Sequence, residues 1–263
     1  MTRRYGIDVS HFQTPARPGG VPWSRISETS QFAIVRGSYG TWPDPSAELH
    51  TSAARIEAMQ LGLYHFFCVR QSISAQMDVF CAQAFKCLIG PGDILPALDV
   101  EDDGGNLVNP SWEPLIRQAV DVLVSVFGDA MIYITQRDWA RLGSPGWVLE
   151  LPMWVANYTN APKPATPGNV TPAIWQYRVG PYAQGAPFDP KQATSPNAID
   201  HNCADAPLPV CLRAPSQPGK LPSPGFSPPS PQTLWMQRLD ALTDDAYAHR
   251  NDTEPAPPPT EDA

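Results

Sequence analysis

The chain is poor in charge, and poorest in positive charge. Only 17% of its 263 residues are charged, and 18 Lys and Arg stand against 26 Asp and Glu. The resulting net charge of -8 provides no footprint for a phosphate backbone, which argues against nucleic acid as a partner. Long apolar runs are missing as well. None approaches the ~20 residues that a membrane-crossing helix needs, so no membrane span is expected and the chain reads as soluble. Arg3 and Arg4 near the start have no apolar run behind them, so no export signal is read there. Cysteines are few and odd in number: Cys68, Cys81, Cys87, Cys203 and Cys211. Without C-x-x-C spacing they argue against a zinc site and a disulfide scaffold. They read as buried thiols, with a Cys203–Cys211 loop disulfide as the open alternative, and neither reading implies redox catalysis. G-x-G-x-x-G, Walker, H-E-x-x-H and G-x-S-x-G motifs are all absent, and so is any internal repeat. His11, His65 and His201 are scattered rather than clustered. No metal and no organic cofactor is expected.

Proline is in excess, with 32 residues, more than twice the ~5% usual share. Many fall after Pro207, in PLPVCLRAPSQPGKLPSPGFSPPSPQ, a tract that can pack no core of its own. This divides the chain into a main domain over 1–212, a Pro/Ser/Gly-rich linker over 213–232, a short amphipathic helix over 233–250 and a disordered acidic tail over 251–263. In the helix, Trp235, Leu239, Leu242 and Ala246 fall on one face. So short a helix needs a surface to dock on, either the main domain or a protein partner.

Across 1–212, short β-branched and aromatic runs alternate with stretches of helical period. Strands are expected at Tyr5–Val9, Phe32–Arg36, Gly62–Phe67, Ile94–Val100, Ala130–Thr135, Met153–Ala156, Ala173–Tyr177 and Ala198–His201. Helices are expected at Ala47–Gln60, Ile73–Leu88 and Trp112–Phe127. Continuous apolar strands such as Phe32-Ala33-Ile34-Val35 suit a parallel sheet covered on both faces. The proline-rich stretch between Met153 and Tyr177 has no helical period. The fold class that follows is α/β, an irregular TIM-like (β/α) barrel with some helices missing, ahead of a Pro-rich tail. An open doubly wound sheet is the alternative architecture.

In such a barrel, polar residues at the C-terminal ends of strands face the substrate. The expected strands end in or carry Asp8, Tyr64, Asp99 and Glu101, Tyr133, Trp154 with Asn157, Trp175 with Gln176, and Asp200. Asp99 and Glu101 are two apart, so an extended backbone turns both carboxyls to one face about 6.5–7 Å apart. Like charges in a partly apolar crevice raise the pKa of at least one, leaving an acid protonated near neutrality. Cleavage of a glycosidic bond needs such an acid, and aromatic faces are what sugar rings stack on.

In order and spacing, Tyr5-Gly6-Ile7-Asp8-Val9-Ser10, Phe32-Ala33-Ile34-Val35-Arg36, Gly62-Leu63-Tyr64-His65-Phe66, Pro96-Ala97-Leu98-Asp99-Val100-Glu101, Ile132-Tyr133, Trp154-Val155-Ala156-Asn157-Tyr158, Ile174-Trp175-Gln176-Tyr177 and Ile199-Asp200-His201-Asn202 resemble the glycoside hydrolase family 25 lysozymes, the Chalaropsis-type muramidases. The resemblance covers about 4–206. It implies hydrolysis of the β-1,4 bond between N-acetylmuramic acid and N-acetylglucosamine in peptidoglycan, with retention through the substrate's N-acetyl group. It makes Glu101 the general acid. Asp99 and Asp200 orient the acetamido group or stabilise developing charge, Asp8 completes an acidic floor, and Tyr64 and Tyr133 contact the reacting sugar. Trp154, Asn157, Trp175 and Gln176 join them as substrate-binding candidates. The chain departs from the pattern at His11-Phe12-Gln13, where many relatives place a Trp before the Gln, and in the loop Asp102-Asp103-Gly104-Gly105, which reads as acidic and flexible. With bacterial peptidoglycan as partner and no export signal read, the setting is a phage protein. It is either made in the host cytoplasm and released to the wall through a membrane pore, or carried in the virion tail. The alternatives are a virion or wall-binding protein that keeps the barrel without turnover, and another retaining barrel hydrolase such as a chitinase.

Overall fold

The computed structural model of the chain describes residues 2–13, 21–180 and 198–215. The expected linker beyond 215, the helix over 233–250 and the acidic tail lie outside these. Nine strands form one sheet: β1 (Arg4–Val9), β2 (Phe32–Tyr39), β3 (Trp42–Pro43), β4 (Gln60–Phe66), β5 (Ala97–Val100), β6 (Met131–Ile134), β7 (Met153–Ala156), β8 (Ile174–Gly180) and β9 (Ile199–Ala204). Eight of them close into a barrel in the order β1-β9-β8-β7-β6-β5-β4-β2, with β1 pairing β2, while β3 is a short hairpin partner of β2. Pairings from β1 through β8 around the β2 side are parallel, and β9 is antiparallel to both neighbours. The eight expected strands are therefore the eight of the barrel. Their ends shift for local reasons. β5 starts at Ala97 rather than Ile94, because Pro96 has no N–H to donate and Ile94 instead bridges Val210.

The helices are α1 (Trp23–Ser27), α2 (Ala47–Ile56), α3 (Ile73–Lys86), α4 (Glu113–Phe127) and α5 (Gln136–Arg141). Those expected to run to Gln60 and Leu88 stop earlier, where Ala58 and Leu88 take positive φ of 55° and 56°. α4 stops at Gly128, in the left-handed conformation with φ 94°, whose amide returns to the Val124 carbonyl. α1 and α5 have no counterpart in the sequence reading, since five or six residues are too few to display a period. Between β7 and β8 only a short 3-10 turn, Pro167–Asn169, appears. Helices α2, α3 and α4 lay Ala54, Phe80, Ile116, Leu123 and Phe127, all fully buried, in one core with strand residues such as Val35, Leu63 and Ile132.

Inside the barrel, aromatic side chains pack together around Trp154. Trp154 donates from Nε1 to Asn202 Oδ1 at 2.8 Å and takes edge contacts from Tyr64 and Tyr133, with ring centroids 5.8 and 4.8 Å away. All five cysteines are free thiols, so the Cys203–Cys211 disulfide is not formed. Cys203 faces the β1 and β8 ladders, whereas the Cys211 Sγ lies 3.4 Å from the Ile94 carbonyl oxygen.

Candidate active site

A crevice of about 470 Å³ opens at the C-terminal ends of the parallel strands. Asp8 of β1, Asp99 of β5, Glu101 one residue beyond β5, and Asp200 of β9 all line it. Asp99 and Glu101 share the crevice because side chains two apart on an extended chain emerge on the same face. Asp200 arrives by a different route from the one expected. β9 runs antiparallel, so its beginning, not its end, reaches this mouth, and Asp200 sits opposite Asp8 in the β1–β9 register.

Asp8 is held most firmly. Its Oδ2 accepts Gln176 Nε2 at 2.9 Å and Asn202 Nδ2 at 2.7 Å. Burial nonetheless outweighs both hydrogen bonds and pushes the carboxyl up to about 6. Asp99 Oδ1 is buried with no hydrogen-bond partner, and burial, then the charges of Glu101 and Asp8, raise its carboxyl well above the usual range. Asp200 is raised likewise, by burial and then by Asp8 and Glu101. Glu101 is half-buried. Burial, then Asp138, Asp8 and Asp102, carry it up to about 7 against the pull of Arg137. Crowded into one crevice, the carboxyls raise one another, and Glu101, carried up to about 7, is placed to exchange a proton near neutrality.

Tyr64 also lines the crevice, and burial followed by the charge of Asp8 suppresses its ionisation. Tyr133 stands behind the lining, with its hydroxyl donating to Gln176 Oε1 at 3.1 Å. Gln176 thus braces Asp8 from below and also accepts the Tyr158 hydroxyl at 2.9 Å. Trp154 is 2% exposed, so it supports the crevice floor and offers no face to a ligand. Trp175 and Asn157 fall outside the lining. The Trp175 indole donates to the Asn157 carbonyl at 2.8 Å and packs on Tyr177, while Asn157 Oδ1 accepts the Ala165 amide at 3.2 Å. Trp175 is one residue from the inward-facing Gln176, and strand alternation turns it outward.

Arg36, Phe12 and Trp42 also line the crevice and escaped sequence reasoning as part of a site. Arg36 donates from Nε to the fully buried Asp44 at 2.8 Å and meets the His11 ring nitrogen, while Asp44 also accepts the His11 and Ser46 amides. This array carries one wall of the crevice. The Pro-Asp-Pro stretch around Asp44 was the one available signal, a turn from which a carboxylate can cap backbone amides. Phe12 and Trp42, about half exposed, flank His11 on the rim, with centroid separations from it of 4.1 and 5.4 Å. Among the described residues no group of three or more His, Cys, Asp and Glu is arranged to hold a metal ion.

The sequence profile described as Glycosyl hydrolases family 25 matches residues 7–186. No match is found among proteins of curated function. Among solved structures, a muramidase from Trichobolus zukalii aligns with a TM-score of 0.61 and 22% identity, over 78% of this chain and 95% of its own. A lysozyme from Streptomyces coelicolor gives 0.61 and 22%, over 78% and 94%. The catalytic domain of an endolysin from a Listeria monocytogenes bacteriophage gives 0.59 and 20%, over 78% and 94%. At these identities the likeness establishes the fold.

Proposed function

This chain belongs to family 25 of the glycosyl hydrolases, and from that premise we propose that it is a muramidase. Its substrate is peptidoglycan, and the bond cut is the β-1,4 link from N-acetylmuramic acid to N-acetylglucosamine. One observation carries the reading: a carboxylic acid at about 7, Glu101, shares a crevice with two buried aspartates, Asp8 and Asp99, and the half-buried Asp200. In the proposed reaction Glu101 gives its proton to the glycosidic oxygen as that bond breaks. Asp99 and Asp200 orient the C2 acetamido group, so that its carbonyl oxygen attacks the anomeric carbon from the face opposite the departing oxygen and the positive charge is shared. Water then opens the cyclic intermediate while Glu101, now ionised, takes up its proton, and the configuration is retained. Asp8, fixed by Gln176 and Asn202, supplies negative potential to the cationic transition state. Tyr64 contacts the reacting sugar, and Tyr133 holds the brace beneath it.

The proposed setting is phage lysis or wall penetration. The likeness to a phage endolysin's catalytic domain supports it, and no described helix is long and apolar enough to cross a membrane. The Glu101→Gln variant is expected to fold normally and to clear purified cell walls about 10²–10⁴-fold more slowly, read as turbidity loss. Mass analysis of wild-type digests is expected to find fragments ending in reducing N-acetylmuramic acid. Clearing by the variant at the wild-type rate overturns the assignment of the acid, and fragments ending in N-acetylglucosamine overturn the bond.

A further inference from the structure

Among the described residues Glu101 receives no hydrogen bond from the protein, and it lies beyond the last ladder position of β5. Behind it Val100 is fixed in the β5–β6 ladder, and ahead of it runs a segment anchored on both flanks. Toward α5, the Asp102 carboxylate accepts Arg141 Nη1 at 3.0 Å, Arg137 Nη2 at 3.5 Å and the Val108 amide at 3.0 Å. Those contacts hold its carboxyl below the usual range, with the Val108 amide the largest influence. Toward β2, Asp103 Oδ1 accepts the Tyr39 hydroxyl at 2.5 Å. Tyr39 is itself fixed, its ring stacked on Phe66 at 4.6 Å where the two are partners in the β2–β4 ladder. Between the anchors the chain reverses tightly. Asp103 and Asn106 exchange backbone hydrogen bonds of 3.0 and 2.8 Å, with Gly104 and Gly105 at φ 52° and 92°. The loop that reads as flexible from its glycines and acids is therefore a pinned turn.

We propose that the Tyr39–Asp103 hydrogen bond is a latch that positions Glu101, joining the loop behind the acid to β2, two strands away across the mouth of the barrel. The inference rests on the reading of Glu101 as the general acid. Asp103 is buried at 7% exposure and does not line the crevice, so it acts through the loop and not on the substrate. Arg137 and Arg141 anchor the other flank, and release of Asp103 leaves the loop after Glu101 held on one side only. Because proton transfer needs the carboxyl within hydrogen-bond reach of the leaving oxygen, an error of about 1 Å is enough to cost up to ~10²-fold in rate.

A double-mutant cycle tests this on the whole chain, with wall-clearing kinetics and thermal melting measured for each variant. Asp103→Ala and Tyr39→Phe are each expected to lower kcat by about 10-fold or more with KM within about twofold. The double variant is expected to be no slower than the slower single, since both remove one bond. Asp103→Asn, whose amide oxygen still accepts the tyrosine hydroxyl, is expected to keep kcat within about twofold of wild type. Wild-type kcat in Asp103→Ala, or losses that multiply in the double variant, overturns the latch. Tyr39 itself lines the crevice, so if Asp103→Ala does not fold, Asp103→Ser, which withdraws the acceptor without touching the lining, decides: lower kcat at constant KM supports the latch, and wild-type kcat overturns it. Glu101→Gln measured beside them separates the two ideas. An active Glu101→Gln removes the general acid itself, whereas an inactive one beside a fully active Asp103→Ala removes only the latch.

Discussion

At the scale of single residues, the acidic crevice is a standing cost to the fold. A carboxyl whose folded pKa is raised binds its proton more tightly in the native state than in the unfolded chain. Its contribution to stability is therefore full below the ordinary carboxylate range and is lost as pH rises through the folded value. For Asp8 and Glu101 that window runs from about 4 to about 6 and about 7, and Asp99 and Asp200 are shifted in the same direction. Melting temperature is thus expected to fall between pH 5 and pH 7.5. Asp99→Asn, which removes a buried titrating carboxyl with an unpartnered oxygen, is expected to add about 1 kcal/mol at pH 7.5, roughly 2–4 °C, and much less at pH 5. On the proposed role of Asp99, activity is expected to fall in exchange. Calorimetry at the two pH values checks this, and equal melting temperatures for variant and wild type at pH 7.5 contradict it. The pairing of Asp99 with Glu101 was legible in the sequence because strand geometry has a period of two. The array of Arg36, Asp44 and His11 was not, since its members come from three separate segments and only the closed sheet joins them.

At the scale of elements, the strands were the legible part. Their apolar runs are long enough to read, and each found its place in the barrel. What patterning does not encode is direction: nothing in Ile199-Asp200-His201-Asn202 announces that β9 runs against its neighbours. The seam where β1 meets β2 carries its own signal. A Cβ placed on Gly6 would lie 2.4 Å from the fully buried ring of Phe32, its partner in the ladder, so the bare backbone there makes room for an aromatic core. Gly6→Ala is expected to destabilise the fold by about 1–3 kcal/mol, as overpacking does, read in urea unfolding. A companion Phe32→Leu substitution in the Gly6→Ala background is expected to recover part of that loss, and no recovery would place the strain elsewhere.

At the scale of the whole molecule, the barrel is bound by a strap that follows β9. Ile94 bridges Val210, the Leu95 amide donates to the Pro209 carbonyl at 3.0 Å, the Cys211 amide to Asp93 at 2.8 Å, and the amides of Leu212 and Arg213 to Phe127 at 3.1 Å. These bonds tie the segment before β5 and the end of α4 to residues that composition alone assigns to a proline-rich region. We propose that the catalytic unit includes the strap. A chain ending at Pro215 is expected to melt within about 2 °C of the full chain, whereas one ending at Ala206 is expected to melt at least ~5 °C lower. Equal melting of the two shortened chains would show the strap to be dispensable.

Asp8 and Asp200 meet across the seam between the first strand of the sheet and the last. A ribosome must therefore deliver nearly the entire barrel before the two can face each other, and a nascent fragment lacks one wall of the cavity in which a glycan would be cut. On the proposed assignment, a polypeptide that stops short of the final strand is expected to leave cell walls intact.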